Sequence, residues 1–364
     1  MNRIYAVLHH RRLRTRWSIA IGLTVFLFPG TMAAAAPSGT VETATFESAI
    51  LPEAILDIEA TREIRVYLPP GYADSEQRYP VIYYCHSLYW DNARLFESGA
   101  VKSTLDRAIA NGVIAPFIFV AGDFAGTSNA GCFFENSPVS GRWIDHVIEE
   151  LVPFIDNRYR TLAERDSRAI VGDLIGGYGA LKLAMMHPDV FSVVYALHPA
   201  AAGTGYLPMT GLADWQRMHD APSFESMADD VYSQVFTSMA QAYLPNPNRP
   251  PLYCDFMQEL QDGEMRLHVA NSERLKNSFL LDHLLPAYAD NLRQLNGIKF
   301  DWGRYDQNYD HVWSNQAFTR QLEELGIEHE AEEYRGNTWN QNWTEYGRVY
   351  ADLLPFLARH LATE

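Results

Sequence analysis

The clearest chemical motif in the chain is a glycine-rich turn between an apolar strand and a helix. The strand is Ala169-Ile170-Val171, the turn is Gly172-Asp173-Leu174-Ile175-Gly176-Gly177, and a helical pattern begins at Tyr178. This is the frame of a nucleophile elbow, G-x-S-x-G, in which glycines permit a sharp turn that presents the central side chain to a substrate. Here the central residue is Leu174, and a hydrocarbon side chain cannot attack a substrate.

Asp173 is the nearest residue that could replace the missing nucleophile. An elbow centred on Asp173 would place Val171 and Ile175 at the flanking positions, where a tight turn requires small residues. We therefore keep Leu174 as the predicted centre of the elbow. Asp173 and Ile175 are assigned to the binding surface around it.

Several polar residues are predicted to gather near this turn. His198 follows the strand after the elbow helix, and with His86, Asp173, Asp306 and His311 it could form a cluster suited to proton transfer or metal ligation. The more ordinary interpretation is a set of separately hydrogen-bonded histidines at strand ends. Because their spacing contains no two-histidine metal motif, we predict no metal site and no cofactor.

Eight segments have the composition of β-strands, and several are continuous apolar runs. The runs at 80–84 and 117–120 show no alternation, as expected for strands buried on both faces of a parallel sheet. Helical patterns lie between them, so the chain is predicted to be an α/β protein with a doubly wound, mostly parallel sheet. The predicted strands are 43–50, 62–68, 80–85, 116–121, 168–172, 192–197, 298–303 and 328–334. The predicted helices are 95–110, 144–155, 177–186, 314–325 and 344–361.

Residues 201–296 interrupt this alternation. They contain no convincing strand, but helical patterns occur at 224–239 and at 272–295, on either side of a Pro/Asn-rich segment at 244–251. We predict a cap-like helical insertion over the carboxyl-terminal edge of the sheet, where open α/β sheets bind their ligands.

The first 36 residues have the pattern of a secretory signal peptide. Five arginines and no acidic residue precede or flank an apolar run at 18–29, and small residues follow at 33–36. The apolar run is short for a membrane span. We therefore predict a secreted or periplasmic chain comprising 37–364, with no stable membrane span after cleavage.

The charge balance argues against nucleic acid as a partner. The formal net charge is −16, and removal of residues 1–36 would lower it to −21, because those residues carry five arginines and no acid. No Lys/Arg run outside the N-terminus supplies the basic face that nucleic acid requires. Cys85, Cys132 and Cys254 would all remain, so an exported chain could pair two of them and leave one free.

Seven further segments carry a family resemblance. They are RVYLPPGY at 65–72, YPVIYYCH at 79–86, NSPVSGRW at 136–143, GGYGAL at 176–181, HPDVF at 187–191, FDWGRYD at 300–306 and YRGNT at 334–338. On these motifs the chain resembles the putative-esterase family of α/β hydrolases, which includes esterase D, feruloyl esterases and mycobacterial mycolyltransferases. The resemblance covers about 45–200 and 297–362. It implies the α/β-hydrolase fold.

The catalytic triad of this family does not carry over. In such enzymes a serine attacks the acyl carbon, a histidine accepts its proton and an acid orients the histidine. By position the serine corresponds to Leu174 and the histidine to Thr338. Only the acid has a counterpart, which is Asp306, or Asp310 if the local register differs.

The resemblance also implies which residues surround the site. Ser87 follows His86 at the oxyanion-hole turn, where the family usually has glycine, and it is expected to hydrogen-bond locally. Asn337 precedes the degenerate histidine position, and His311 follows the acid. We assign these residues to ligand binding, with His198 and His86 as the candidates for acid–base chemistry.

Three functions remain open from the sequence. The first is an exported pseudoenzyme that binds a small molecule, such as an acyl or glycosyl ligand, or a partner without cleaving it. The second is an enzyme that uses acid–base chemistry of the lyase, isomerase or cyclase type in the inherited pocket. The third is a weak carboxylic-ester hydrolase with a displaced nucleophile.

Overall fold

An eight-stranded β-sheet lies at the centre of the computed structural model, which describes residues 38–126, 131–204, 210–337 and 342–363. The strands of the described chain are β1 (Thr40–Glu47), β2 (Thr61–Leu68), β3 (Val81–Cys85), β4 (Ile118–Ala121), β5 (Asn136–Ser137), β6 (Gly141–Arg142), β7 (Arg168–Asp173), β8 (Val193–Leu197), β9 (Gln258–Gln261), β10 (Glu264–Leu267), β11 (Gly297–Gly303) and β12 (Glu330–Tyr334). The sheet order is β1-β2-β4-β3-β7-β8-β11-β12. Strand β2 is antiparallel to both of its neighbours, and every other pair is parallel.

These eight sheet strands correspond one to one to the eight predicted strands, which are therefore confirmed. The expectation that 201–296 contains no strand was wrong, because β9 and β10 form a hairpin there. Asp262 and Gly263 connect the two strands with φ angles of 53° and 83°, the signs that a two-residue type I′ turn requires. The Asp-Gly pair was the available signal, but most of the hairpin's side chains are exposed and supply little apolar pattern.

Both faces of the central strands are buried, as the unbroken apolar runs predicted. Along β3, Val81, Tyr83 and Cys85 belong to one hydrophobic core, whereas Ile82 and Tyr84 belong to the other. This alternation follows from the two-residue period of a strand. The Tyr84 face and the Tyr83 face are therefore separate chemical environments.

Helices cover the two faces of the sheet. The α-helices are α1 (Asn92–Glu97), α2 (Ala100–Ala110), α3 (Trp143–Asp145), α4 (Val152–Arg158), α5 (Ile175–Met186), α6 (Trp215–Asp220), α7 (Val231–Tyr243), α8 (Val269–Phe279), α9 (Leu281–Leu292), α10 (Tyr309–Glu324) and α11 (Leu354–His360). A π-helical turn at His146–Leu151 joins α3 to α4, and another at Val349–Leu353 leads into α11. Helices α1, α2 and α11 pack on the Tyr84 face, while α4, α5 and α10 contribute to the other core.

In its described part, the segment between β8 and β11 contains helices α6 to α9, the hairpin and connecting loops, and it is bonded to the elbow helix α5. The Tyr243 hydroxyl at the end of α7 lies 2.7 Å from the Tyr178 hydroxyl, and Lys182 donates to Tyr243 over 3.1 Å. The Asn291 amide of α9 donates to the carbonyl of Met185. The predicted single helix at 272–295 is divided into α8 and α9, because Leu280 is extended and buried between them.

The predicted signal peptide at 1–36 lies outside the described residues. Residues 37–364 form one compact unit. Within the described ranges, none of the helices combines the length and apolar character that crossing a bilayer demands.

The turn from β7 to α5 lies against the end of β3. A Cβ atom at Gly176 would lie 2.6 Å from the carbonyl carbon of Cys85 and closer still to its oxygen. At Gly172 a Cβ would overlap the backbone of Gly176. Glycine is therefore required by close backbone approach rather than by left-handed dihedral angles.

We expect Gly176→Ala to lower the free energy of unfolding by about 3 kcal/mol, because backbone atoms cannot move aside as a flexible side chain would. The matched control is Gly211→Ala, where an added Cβ meets open space, and its stability is expected to equal that of wild type. Urea unfolding followed by tryptophan fluorescence measures both. Equal stabilities of the two variants would contradict the role assigned to the close approach.

Candidate active site

Leu174 occupies the centre of an intact elbow. Its φ and ψ angles are 49° and −117°, a combination that is costly for a residue with a Cβ, by about 1–3 kcal/mol. Its N–H donates to the carbonyl of Leu197 over 3.1 Å, and its carbonyl accepts from Tyr178 N–H over 2.9 Å. The surrounding backbone therefore holds the strained turn of a nucleophile elbow in place, although the residue at the nucleophile position is a leucine.

A cavity of about 280 Å³ lies beside Leu174. Three residues that the sequence analysis assigned to ligand binding line it, namely Ser87, Ile175 and His311. In an α/β hydrolase, the residue after the nucleophile and the loop after β3 supply the oxyanion-hole N–H groups, and both segments reach this cavity. The remaining lining is mainly apolar: Leu88, Tyr89, Trp90, Ala200, Val231, Tyr232, Val235 and Asn308.

Asp306 and His311 form a buried pair at the start of α10. Nδ1 of His311 lies 3.0 Å from Oδ2 of Asp306, and the Asn308 N–H donates to the other carboxylate oxygen over 2.9 Å. Both side chains are almost fully buried. The sequence analysis gave Asp306 no imidazole partner, and in the structure His311, five residues along the chain, is bonded to it.

His198 lies close to this pair but does not line the cavity described above. Its backbone N–H donates to Asp301 over 3.2 Å, and its Nδ1 has no hydrogen-bond partner among the described residues. Burial, reinforced by the neighbouring His311, lowers the pKa of His198 to about 3. His198 is therefore a neutral side chain at physiological pH and a weak base.

His86 is held by the backbone through both ring nitrogens. Nε2 accepts from the Phe124 N–H over 3.0 Å, so Nδ1 carries the proton and donates to the carbonyl of Ser87 over 3.0 Å. Burial lowers the pKa of His86. This geometry gives His86 a structural role, in place of the acid–base role considered from the sequence.

Asp173 faces away from the Leu174 cavity and lines a different one. Tyr84 donates its hydroxyl proton to Asp173 over 3.0 Å, and the Ser87 N–H also bonds to this carboxyl group. Burial raises the pKa of Asp173 to about 6. The structure thus separates Asp173 from His311, which lines the cavity beside Leu174, whereas His86 lines the same cavity as Asp173.

Thr338, which the family resemblance places at the histidine position, lies outside the described residues. Asn337 is exposed and lines neither cavity, so its predicted binding role gains no support. Asp310 is buried on α10, one residue before His311. Asp306 bonds directly to the imidazole of His311.

The three cysteines are buried and unpaired with one another. Burial raises the pKa of the Cys132 thiol to about 12 and that of Cys85 well above its usual range. Within the described ranges, no three or more His, Cys, Asp or Glu side chains converge as metal ligands would.

The sequence analysis did not predict two features of the site. The first is the pairing of His311 with Asp306, for which the only local signal was an acid and a histidine on either side of a helix start. The second is the wall formed by Val231, Tyr232 and Val235 at the beginning of α7. The apolar stripe on the predicted helix indicates that such residues are buried, but it does not indicate which cavity they face.

Comparison with protein families identifies the family of this chain. Residues 57–347 match the family model described as "Putative esterase". The chain belongs to this family. Its α/β-hydrolase fold agrees with solved structures: a ferulic acid esterase superposes with a TM-score of 0.60 at 20% identity, covering 90% of this chain and 100% of that one. An S-formylglutathione hydrolase from Agrobacterium tumefaciens gives 0.57 at 16% identity, covering 90% and 98%.

Curated relatives of this esterase-family chain match over a shorter region. An endo-1,4-beta-xylanase/feruloyl esterase of Xylanibacter ruminicola is 31% identical over 131 residues, which is 35% of this chain and 18% of that protein. Esterase Rv1288 of Mycobacterium tuberculosis is 35% identical over 135 residues, which is 35% of this chain and 27% of that protein. The match therefore spans less than a third of either relative.

The buried His198 should make folding sensitive to acid. The unfolded chain protonates this histidine below pH 6.5, whereas the folded chain does so only near pH 3, so stability falls as the pH decreases across that interval. His198→Asn, which tolerates the positive φ of 36°, should reduce this loss by up to about 1.4 kcal/mol per pH unit. Urea unfolding of both proteins at pH 7 and pH 5 measures the difference. Identical pH dependences would show that His198 is not a neutral buried group.

Proposed function

We propose that this esterase-family protein binds a small, mainly apolar ligand in the cavity beside Leu174 without cleaving it, and that it is exported to the periplasm or the cell exterior. The observation that carries the proposal is the leucine at the centre of a preserved elbow. Acyl transfer needs a nucleophile at this point. The hydrocarbon side chain of Leu174 can make van der Waals contacts with a ligand but has no nucleophilic atom.

The lining of the cavity supports an aromatic, uncharged ligand. Aromatic and aliphatic side chains form most of the wall, with Ser87, Asn308 and His311 as the polar groups. A few polar groups in an otherwise apolar pocket orient a ligand by hydrogen bonds. One neighbouring structure is a feruloyl esterase module from Clostridium thermocellum complexed with sinapinate, at a TM-score of 0.51. We therefore propose an uncharged ester of a hydroxycinnamic acid, such as methyl ferulate, as the ligand class.

A serine-reactive probe tests the absence of acyl-enzyme chemistry. We expect the purified protein to show no labelling by a fluorophosphonate and no hydrolysis of p-nitrophenyl acetate above that of Leu174→Ala, while methyl ferulate still quenches its tryptophan fluorescence. Labelling that persists in Leu174→Ala would instead identify a displaced nucleophile, and Ser87→Ala would then determine whether it is the serine that lines the cavity.

Restoring the nucleophile tests the remaining machinery. Leu174→Ser places a hydroxyl at the elbow, and we propose that His311, which lines the same cavity and is bonded to Asp306, accepts its proton. We expect Leu174→Ser to gain fluorophosphonate labelling and ester hydrolysis, and the added change His311→Ala to remove roughly a hundredfold of that gain. The combination with Thr338→His tests the family's own histidine position. A folded set of variants without any labelling would mean that the pocket no longer accommodates acyl transfer.

A second candidate function is proton-transfer catalysis in the same cavity. It is favoured by one observation, the Asp306–His311 pair, because a carboxylate that orients an imidazole is the arrangement of a general base. In this function His311, with the nitrogen that Asp306 does not hold, removes a proton from a bound carbon acid. No nucleophile at the elbow is required.

A generic carbon-acid substrate separates this candidate from simple binding. If His311 acts as a base, the protein should accelerate ring opening of 5-nitrobenzisoxazole, followed by absorbance, and His311→Ala should lower the rate roughly a hundredfold while Ser87→Ala has little effect. His311→Gln controls for lost packing, since it fills similar volume without the imidazole. Equal rates for wild type and His311→Gln would eliminate this function.

A further inference from the structure

A second cavity of about 280 Å³ lies on the opposite side of the loop that follows β3. Tyr84 and Asp173, from the ends of two adjacent strands, lie at its base, and Leu95 of α1 and Trp343 line it as well. Trp90 lines both this cavity and the one beside Leu174. We call it the Asp173 cavity, and neither the elbow chemistry nor the proposed ligand uses it.

The ionisable acids of the Asp173 cavity are Asp173 and Asp91, and among the described residues no lysine or arginine lines it. The carbonyl oxygen of the Asn342 side chain is buried without a partner in the described structure, and so is the indole N–H of Trp343. The Tyr84 hydroxyl already donates to Asp173. A ligand that satisfies the two carboxyl groups and the Asn342 oxygen must therefore bring donors or positive charge.

The walls of the Asp173 cavity are aromatic. The Trp343 ring meets Tyr84 edge to face at 5.8 Å, and Trp90 stands at the rim, where the Arg94 guanidinium stacks on it at 4.4 Å. Aromatic faces attract cations through the ring quadrupole, most strongly where water is excluded. Trp90 already binds one cation of the chain itself. A carboxyl group at the base of an aromatic cleft is suited to an organic ammonium group.

The Asp173 cavity adjoins a groove that could hold the part of the ligand beyond its ammonium group. Trp90, Leu95, Ser98 and Trp343 line both the Asp173 cavity and an adjoining groove of about 430 Å³. Arg94 and Glu97 also line the groove, and their opposite charges give its lining no net charge. This outer part offers apolar surface to a hydrocarbon stem rather than a second site for charge.

We propose that the Asp173 cavity binds a small organic cation, with its ammonium group between Asp173, Tyr84 and Trp343 and its apolar stem in the groove beside Leu95. This inference goes beyond the proposed function and does not depend on the cavity beside Leu174. Asp173 also supports the turn through Tyr84 and Ser87, and a purely supporting carboxyl group would not discriminate between a cation and its neutral analogue.

The affinity for a cation should depend on pH, because the charge of Asp173 does. The titratable groups around it are Tyr84, Cys85, His86 and Asp91. Burial raises the pKa values of Tyr84 and Cys85 and lowers that of His86, so these three groups stay neutral near pH 7. Since the pKa of Asp173 is about 6, its carboxyl group is ionised at pH 8 and largely protonated at pH 5. Binding of a cation should weaken over that interval.

Calorimetric titration with benzyltrimethylammonium, benzylamine and benzyl alcohol tests the proposal on the full-length protein. At pH 8 we expect both cations to bind roughly tenfold more tightly than the neutral alcohol. Asp173→Asn, which keeps an acceptor for Tyr84, should abolish this preference and its pH dependence. Asp220→Asn, the same change on the exposed surface of α6, is the matched control and should bind as wild type does.

Several outcomes would overturn the proposal. They are equal affinities for the cations and the alcohol, an unchanged preference in folded Asp173→Asn, or no binding of any probe at millimolar concentration. Should Asp173→Asn fail to fold by circular dichroism, Trp343→Leu and the pH series on wild type decide the question. Failure here leaves the methyl ferulate experiment unaffected, because that probe addresses the other cavity.

Discussion

The structure depends on the close approach of two backbone segments, the turn after β7 and the carboxyl end of β3. Gly176 packs so tightly on Cys85 that a single methyl group would overlap it. This contact fixes the sharp turn and compels Leu174 into a strained conformation. The strain persists because the surrounding backbone determines the turn more strongly than the residue at its centre does. The elbow conformation is therefore compatible with leucine at its centre.

The same turn separates two chemical environments. Consecutive residues in so sharp a bend point in different directions, so Leu174 faces a mainly apolar cavity and Asp173 faces an acidic, aromatic one. The loop after β3 lies between them, with Ser87 donating its N–H towards Asp173 while lining the Leu174 side. A change at one residue of the elbow thus alters one cavity and leaves the other in place.

Asp306, which the family resemblance places at the acid position, is bonded to a histidine from the same short segment. Asp306 and His311 are five residues apart across the start of α10, and the Asn308 N–H holds the carboxylate from the same turn. One short segment therefore provides both groups of the pair. His311 lies in the cavity beside Leu174 with Ser87 and Asn308 as the other polar groups, and a few such groups in an apolar pocket orient a ligand.

The sequence alone determined the eight strands and the missing nucleophile, because apolar runs and a glycine-rich elbow are local patterns of a few residues. It also placed Asp306, Ile175, Ser87 and His311 near one site through family motifs. Only the tertiary structure decided that His86 is held by Phe124, that Asp173 faces Tyr84, and that Leu280 divides the predicted long helix. Side-chain partners of this kind come from chain segments far apart in sequence, and their meeting depends on strand order and packing across the sheet. Periodicity reports which residues are buried, but the neighbours they acquire are a property of the whole fold.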